Sequence, residues 1–456
     1  ASKGRNMNPR KQRSGCVAGA VCIMAALITA SASAKTVYVS KAGNNTNDGL
    51  TWQTAKLTVQ EGLNTAAADD QVWVAAGTYV ENITLKQGVA LYGGFTGNET
   101  DLSQRDWLTN KSILDGNQAG SVVTSPSGAT TTTRIDGFAI RNGSGTRVSS
   151  YRYGGGIYCS FSSPTIANNT ITENTASGTS ACGGGLYCSN SSPVISNNTI
   201  TANTASDSNG PSGSSGYGGG IYCSDGSPTI ANNTIQGNAT SGTKACGGGI
   251  YCNGSPMIVN NTITGNSGSA GGGIYSGSSS TTVANTIVAF NTSGIYTNGT
   301  GALTLRYNCV FGNPAYDYSG VTDPTGSNGN ISTDPKLAGV AYGNVHIQPD
   351  SPCIDVGNDT AVQPGWLDID GQPRVIGSHV DIGADESAGT AWPPGPYVIV
   401  RVSPNGNDMN DGSSWPAAKR TVQAGIDAAV SGGGEVWVQA GTYHERVSLP
   451  PHVYLY

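Results

Sequence analysis

The chain has 456 residues, of which 66 are Gly and 21 Pro, with 37% apolar and 11% charged. Gly is about twice its usual ~7% share and charge less than half of the ordinary ~25%. This argues against helical bundles and coiled coils, and the apolar content argues against charge-driven disorder. Lys plus Arg number 23 against 29 Asp plus Glu, a net charge of −6. There is no basic excess to pair with phosphates, so no nucleic-acid partner is expected. What remains is a turn-rich, mostly β protein, long enough for one large or two medium domains.

The N-terminus carries an export signal. Arg10, Lys11 and Arg13 precede an apolar run from Val17 to Ile28, and Ala32-Ser33-Ala34 forms a small-residue cleavage site. This predicts a signal peptide over 1–34, with extra residues before Met7 and a mature chain from about Lys35. A run of that length is short of the ~20 residues that span a bilayer. The mature chain is expected to have no membrane span and to be secreted, extracellular or on the cell surface. Eight cysteines follow the leader, in a compartment where disulfides are permitted. None forms a C-x-x-C pair, so a zinc site is not expected.

Residues 35–110 read as a cap and first coils. A helix is expected where Val59, Leu63 and Ala66 share one face. It precedes the strand QVWVAAGTY from Gln71. The repeats follow, over 111–311. A GGG block recurs at Gly154, Gly183, Gly218, Gly247 and Gly271, spaced by 29, 35, 29 and 24 residues. Each block reads GGG-[IL]-Y-[CS] and then a short turn; P-x-I-x-N-N-T-I follows in the first four, and a worn copy, VANTIVAFN from Val283, in the fifth. Such self-similarity signals a solenoid. The runs are too short and too broken by Gly, Asn and Pro for helices. One coil of a three-strand parallel β-helix fits the shortest spacing, and the crossover preference makes it right-handed. Ile157, Leu186, Ile221, Ile250 and Ile274 are expected inside.

Stacked copies turn identical residues into ladders. Asn169, Asn198, Asn233 and Asn261 are expected at one bend, with amides bonded to each other and to the turn. Asn174, Asn203, Asn238, Asn266 and Asn291 form a second set. Asn suits such corners because it tolerates left-handed backbone. Length changes fall between the second Asn and the next GGG, so one edge carries the variable loops, which hold little chemistry. Cys159, Cys188, Cys223 and Cys252 are expected as an inward ladder of free thiols. Cys309 and Cys353, outside the ladder, are the candidate disulfide.

The stretch VYVSKAGNNTNDGLTWQTAKLTVQEGLNTAAADDQVWVAAGTYVENITL from Val37 resembles the cap and first coil of bacterial secreted right-handed parallel β-helix proteins of the pectate-lyase-like superfamily. YNCVFGN from Tyr307, STDPKL from Ser332, and SPCIDVGN through DIDGQPRVIGSHVDIGADE also resemble that group. The resemblance covers most of 36–386 and implies a fold more than an activity. Residues 312–386 then form the C-terminal segment of this β-helix domain. After a Pro/Gly linker over 387–396 the cap begins again, with EVWVQAGTY from Glu435 matching QVWVAAGTY. Residues 397–456 read as the cap and first coil of a second, truncated β-helix. The expected fold class is thus all-β: a right-handed parallel β-helix with a short capping helix, followed by the start of a second unit.

Enzymes of the superfamily cleave polysaccharides by hydrolysis or elimination. Hydrolysis needs a carboxylate pair, and elimination a base and usually a cation. Between Tyr151 and Thr300 the charged residues are Arg152, Glu173, Asp207, Asp225 and Lys244, with no His. Neither arrangement is visible there. Asp355, Asp368, Asp370, Asp381 and Asp385 gather with Arg374 near the end of the domain, where structural turns and ion pairs are the favoured reading. His346 and His379 have no partner in sequence. Asn47 and Asp48, and Asn410 and Asp411, lie in NDG loops that are candidate calcium ligands, with Asx turns the commoner explanation. Tyr158, Tyr187, Tyr222, Tyr251, Tyr275 and Tyr296 share one repeat position. If Ile157 points in, Tyr158 points out. A strip of rings on an outer face offers a platform for a polysaccharide or cell-surface glycan, or a stack that stabilises the coil. The leading expectation is a secreted, non-catalytic surface or matrix protein, adhesive or glycan-binding. The alternatives are a polysaccharide lyase or glycoside hydrolase, and a structural stalk.

Overall fold

The computed structural model of the chain describes residues 34–207, 215–277, 280–299, 301–340, 343–392, 398–429, 434–449 and 453–456. The expected signal peptide lies outside them, apart from its last residue. Among the described residues no helix is long and apolar enough to cross a membrane.

Three short strands per coil build the solenoid, and each stacks on its copy one coil away. Sheet one runs through ten strands, from Thr36–Val39 to Thr304–Arg306; sheet two through nine, from Gly77–Val80 to Cys309–Phe311. Sheet three has nine, from Ile83–Thr84 to Tyr318–Ser319. Pairing between successive coils is parallel and in register, with Ile157 opposite Leu186, Leu186 opposite Ile221, and Ile221 opposite Ile250. This is a parallel β-helix. Its core is where three aliphatic ladders meet. Ile157, Leu186, Ile221, Ile250 and Ile274 come from sheet three, Ile166, Ile195, Ile230 and Ile258 from sheet one, and Ile171, Ile200, Ile235 and Ile263 from sheet two, all fully buried. Each such side chain stabilises the coil by about 1.5–3 kcal/mol. Cys159, Cys188, Cys223 and Cys252 stack on the same inner face as buried free thiols.

Asn does two jobs at two positions. The first Asn of each NNT takes the left-handed backbone, with φ of 55° at Asn168, 55° at Asn197 and 52° at Asn260. The second Asn keeps its amide inside. Asn169 Nδ2 donates to Asn198 Oδ1, Asn198 to Asn233, and Asn233 to Asn261, at 3.0–3.1 Å. The other set does the same through Asn174, Asn203, Asn238, Asn266, Asn291 and Asn313. It ends where Asn313 Nδ2 donates to the Asp317 carboxylate at 2.8 Å, so a chain of donors closes on an acceptor-only group. At this second bend the preceding residue is left-handed: Glu173, Ala202, Gly237, Gly265 and Phe290.

The described parts of the variable loops are themselves regular. They fold into further ladders, with Tyr151–Tyr153, Ser180–Cys182 and Ser215–Tyr217 in one sheet and Thr175–Gly178, Thr204–Asp207 and Ala239–Thr240 in another. The C-terminal segment is different. Apart from Tyr318–Ser319 at the end of sheet three, the antiparallel pair Leu337–Gly339 and Asn344–Ile347, and a 3-10 turn at Asp359–Ala361, its described residues are irregular, and it returns along the outside of the coils. Ala384 N donates to Thr262 Oγ1 at 3.0 Å, and Asn197 Nδ2 to Asp368 O at 3.1 Å.

The two cap-like sequences fold alike. Helix α1 (Val59–Thr65) lies against Thr36–Val39 and Gln71–Ala75, and helix α2 (Val422–Ala429) against Val398–Val402 and Gly434–Val438. Gly62 and Gly425 permit that approach, since a Cβ on either would sit 2.5 Å from a methyl of Val39 or Val402. Glu81 accepts from the N–H groups of Val59 and Gln60, and Glu445 from those of Val422 and Gln423. Acceptors at a helix start satisfy orphan donors.

Candidate functional site: the tyrosine face and the C-terminal carboxylates

The six repeat tyrosines lie in register on the outer face of sheet three. From Tyr158 to Tyr296 neighbouring ring centroids are 5.3, 5.2, 5.0, 4.8 and 5.0 Å apart, with interplanar angles of 4–17°. The rings therefore stack on one another. Their faces are taken up by their neighbours, and what they turn outward is ring edge and hydroxyl. Sequence gives the side on which a strand residue lies but not the plane of its ring. A second column runs beside them through Ser160, Ser189, Ser224 and Asn253, two residues further along each strand.

The loop ladder forms a wall along this face. Its register brings Tyr153, Cys182, Tyr217 and Cys246 into one line. Tyr153 leans on Tyr187 at 4.8 Å, and Tyr217 meets Tyr251 edge-on at 5.2 Å. The result is a one-sided trough with an aromatic, hydroxyl-bearing floor. Burial pushes the Tyr187 phenol up to about 12 and raises Tyr222 and Tyr251 further, so the phenols remain donors. The sheet-three strands flooring the trough, IYCS, LYCS, IYCS, IYCN, IYS and IYT, carry no ionisable carboxylate or imidazole.

The NDG loops are closed by their own chain. Asn47 Nδ2 donates to Ala55 O at 3.1 Å, and Asp48 Oδ1 accepts from Leu50 N at 3.0 Å. Asn410 and Asp411 repeat this with Ala418 O and Ser413 N. Those backbone donors lower both aspartates. Lys56 Nζ donates to Asn45 O at 3.1 Å, and Lys419 Nζ to Asn410 O at 2.7 Å. Each loop's carbonyls already face a cation.

The histidines do find partners, contrary to the sequence reading. His346 Nε2 is 3.1 Å from Asp370 Oδ1, and His379 Nδ1 is 2.9 Å from Asp359 Oδ2. The His346 ring stacks on Trp392 at 3.5 Å, so part of the expected linker folds back. His346, Asp370 and Asp385 each bring a ligand atom within 4.8 Å of the others, a donor set suited to a divalent cation. Gln348 bonds both N and O of Trp392 and also lines an open cleft of about 620 Å³ with Phe290, Lys336, Leu337 and Val340. The sequence gathered Asp370 and Asp385 in one acidic cluster but gave no signal that His346 joins them.

Behind it, Arg374 is 2% exposed. It donates to the carbonyls of Asp381, Gly383 and Ala384 and pairs with Glu386 at 2.8 Å. Asp368 accepts from Asp370 N, Gln372 N and Glu386 N, and Asp381 from Asp355 N and Ser387 N. These carboxylates hold turns. Burial raises Asp368, Asp381 and Glu386, and pushes Asp385 up to about 7. Cys309 and Cys353, the candidate disulfide, stand as free thiols in one buried cluster, within hydrogen-bond reach of each other.

The profile of the family described as "right handed beta helix region" matches residues 79–268 and 212–334. No curated protein matches the sequence. Among solved structures, pectate lyase Pel9A is similar with a TM-score of 0.37 and 14% identity, covering 78% of this chain and 97% of its own. XylC in complex with xylose is similar with a TM-score of 0.33 and 9% identity, covering 67% of this chain and 68% of its own. At these values neither likeness bears on activity.

Proposed function

This chain belongs to the right-handed β-helix family, and from that premise we propose that it is a non-catalytic surface or matrix protein that binds an extended glycan along its tyrosine face. The observation that carries the reading is the six-ring row with its parallel Ser and Asn column, bordered by a wall. Tyr hydroxyls repeated about every 4.8 Å over five intervals, with the Ser160, Ser189, Ser224 and Asn253 column beside three of them, offer a long polar track to a chain lying along the axis. Contact is by hydrogen bonds and ring edges, since the ring faces are occupied. The chain is exported, in keeping with the leader over 1–34 and the absence among the described residues of a membrane-spanning helix. A glycan-array screen with the whole chain tests this. Retention of a linear polysaccharide is expected. Failure to retain any glycan, or release of new chain ends from one, overturns the reading.

A second reading is a glycan-cleaving enzyme acting at the C-terminal segment. It is favoured by one observation: Asp385, buried with its carboxyl raised to about 7, grouped with His346 and Asp370. Product ends that vanish on Asp385→Asn would establish it. The Cys309–Cys353 bridge stays as a proposal, and thiol counting on unfolded, unreduced protein decides it. Two thiols fewer than the reduced chain are expected, and an equal count excludes the bridge.

A further inference from the structure

We propose that the tyrosine row is a modification site, at which adjacent coils are joined by dityrosine when a heme peroxidase and hydrogen peroxide act on the folded chain. The inference does not depend on glycan binding. It rests on the geometry of the rings. Tyr187, Tyr222 and Tyr251 are stacked in parallel, with centroids 5.2 and 5.0 Å apart and planes within 6°. Neighbouring rings face each other in parallel, which brings their ortho carbons into one neighbourhood. The backbones are already in register, about 4.8 Å apart. Linking two rings therefore requires side-chain rotation and no slip of the strands. Each ring of the row is partly exposed, so a small oxidant reaches the row while the stack holds the rings together.

The chemistry balances. Each of two phenols gives up one electron and one proton, leaving a radical shared between oxygen and the ortho carbons. The two radicals couple through one new carbon–carbon bond. The hydrogen on each coupled carbon then moves to its phenolic oxygen and restores both aromatic rings. Two hydrogens are lost overall, and one hydrogen peroxide is reduced to two waters. The ordinary fate of tyrosyl radicals on separate molecules is intermolecular coupling. Here the partner is supplied at high effective concentration within the chain. Because the row is continuous from Tyr158 to Tyr296, a radical formed at any ring has a neighbour to exchange an electron with or to couple to. A bridge between rungs would resist separation of coils, which in a solenoid are held only by their neighbours.

Dilute whole chain is treated with peroxidase and hydrogen peroxide, native and in urea, and followed by dityrosine fluorescence, gel mobility and peptide mass mapping. Native protein is expected to give monomer-sized product with more than about tenfold the intrachain yield of the unfolded chain. Peptides holding Tyr187 and Tyr222, or Tyr222 and Tyr251, should be joined with loss of two hydrogens. Tyr222→Phe keeps the ring stack and should remove both of those links while the Tyr251–Tyr275 link persists. No dityrosine, equal yield in urea, links only between chains, or links mapped to tyrosines off the row would each overturn the proposal.

Discussion

The repeat coils and the C-terminal segment are built from opposite materials. In the coils from Tyr151 onward the buried polar side chains are uncharged, and the long amide ladder among them is satisfied by its own copies one rung away, as in the chain from Asn174 to Asn313. In the segment, buried polar groups are charged and satisfied by unlike partners, with Arg374 meeting Glu386 and Asp368 gathering three backbone N–H groups. The comparison teaches where each region is vulnerable. The coils should ignore pH and suffer from loss of one amide, whereas the segment should respond to proton uptake and to loss of one charge.

The largest expected effect is Arg374→Met. It leaves buried carboxylates without their cation, a loss of about 3–5 kcal/mol. Limited proteolysis should cut within 344–386 while the coils stay protected. Equal loss of protection in the coils would show that the two regions are one cooperative unit. Asn203→Leu comes next. Asn203 is fully buried, donates to Asn238 and the carbonyls of Ile171 and Thr201, and accepts from Asn174. Several partners are orphaned, so a cost of about 2–4 kcal/mol is expected in urea unfolding of the coils.

The third effect is pH. Asp385 has a folded pKa of about 7 against an unfolded value near 3.9. Its folded state holds a proton that the unfolded state has released. Its contribution is therefore complete below about pH 4 and is lost as pH rises through about 7. Asp368, Asp381 and Glu386 shift the same way. Hydrogen exchange should show the segment 344–386 less protected at about pH 8 than at about pH 5, by an order of a few kcal/mol at most, with the coils unchanged. Asp385→Asn should flatten this dependence. The smallest effect is a gain. Ala202 sits at φ 53° where the equivalent residues of two later coils are Gly237 and Gly265. Left-handed backbone costs a non-Gly residue about 1–2 kcal/mol, partly offset by the entropy of Gly. Ala202→Gly should raise the stability of the coils by about 0.5–1 kcal/mol, and a fall in melting temperature would contradict the assigned bend.

The same contrast explains how far the sequence could be read. In the coils a residue's partner is its own copy, so the periodicity of GGGIYC and NNTI fixes which residues are inside and which stack. Ile157, the Cys159 ladder and the outward side of Tyr158 follow from that alone. Two things did not follow. The left-handed position is Asn168 rather than Asn169, because a bend and an internal amide need different residues. The ring planes of the tyrosines depend on packing in three dimensions. In the C-terminal segment partners are unlike and distant, as with Ala384 and Thr262 or His346 and Trp392. No spacing rule connects them, so the acidic cluster was visible in the sequence and its histidine was not.

The most direct test sets the two regions against each other in one binding measurement. The whole chain, the triple variant Tyr187→Phe with Tyr222→Phe and Tyr251→Phe, and the variant Asp385→Asn are compared on the glycan that the screen retains. The Phe variant keeps the stacked rings and removes their hydroxyls, so it is expected to fold and to lose at least about tenfold in affinity, since each lost hydrogen bond is worth roughly 0.5–1.5 kcal/mol. Asp385→Asn is expected to bind as the parent does. Unchanged binding by the Phe variant together with loss on Asp385→Asn would move the site to the C-terminal segment and contradict the account.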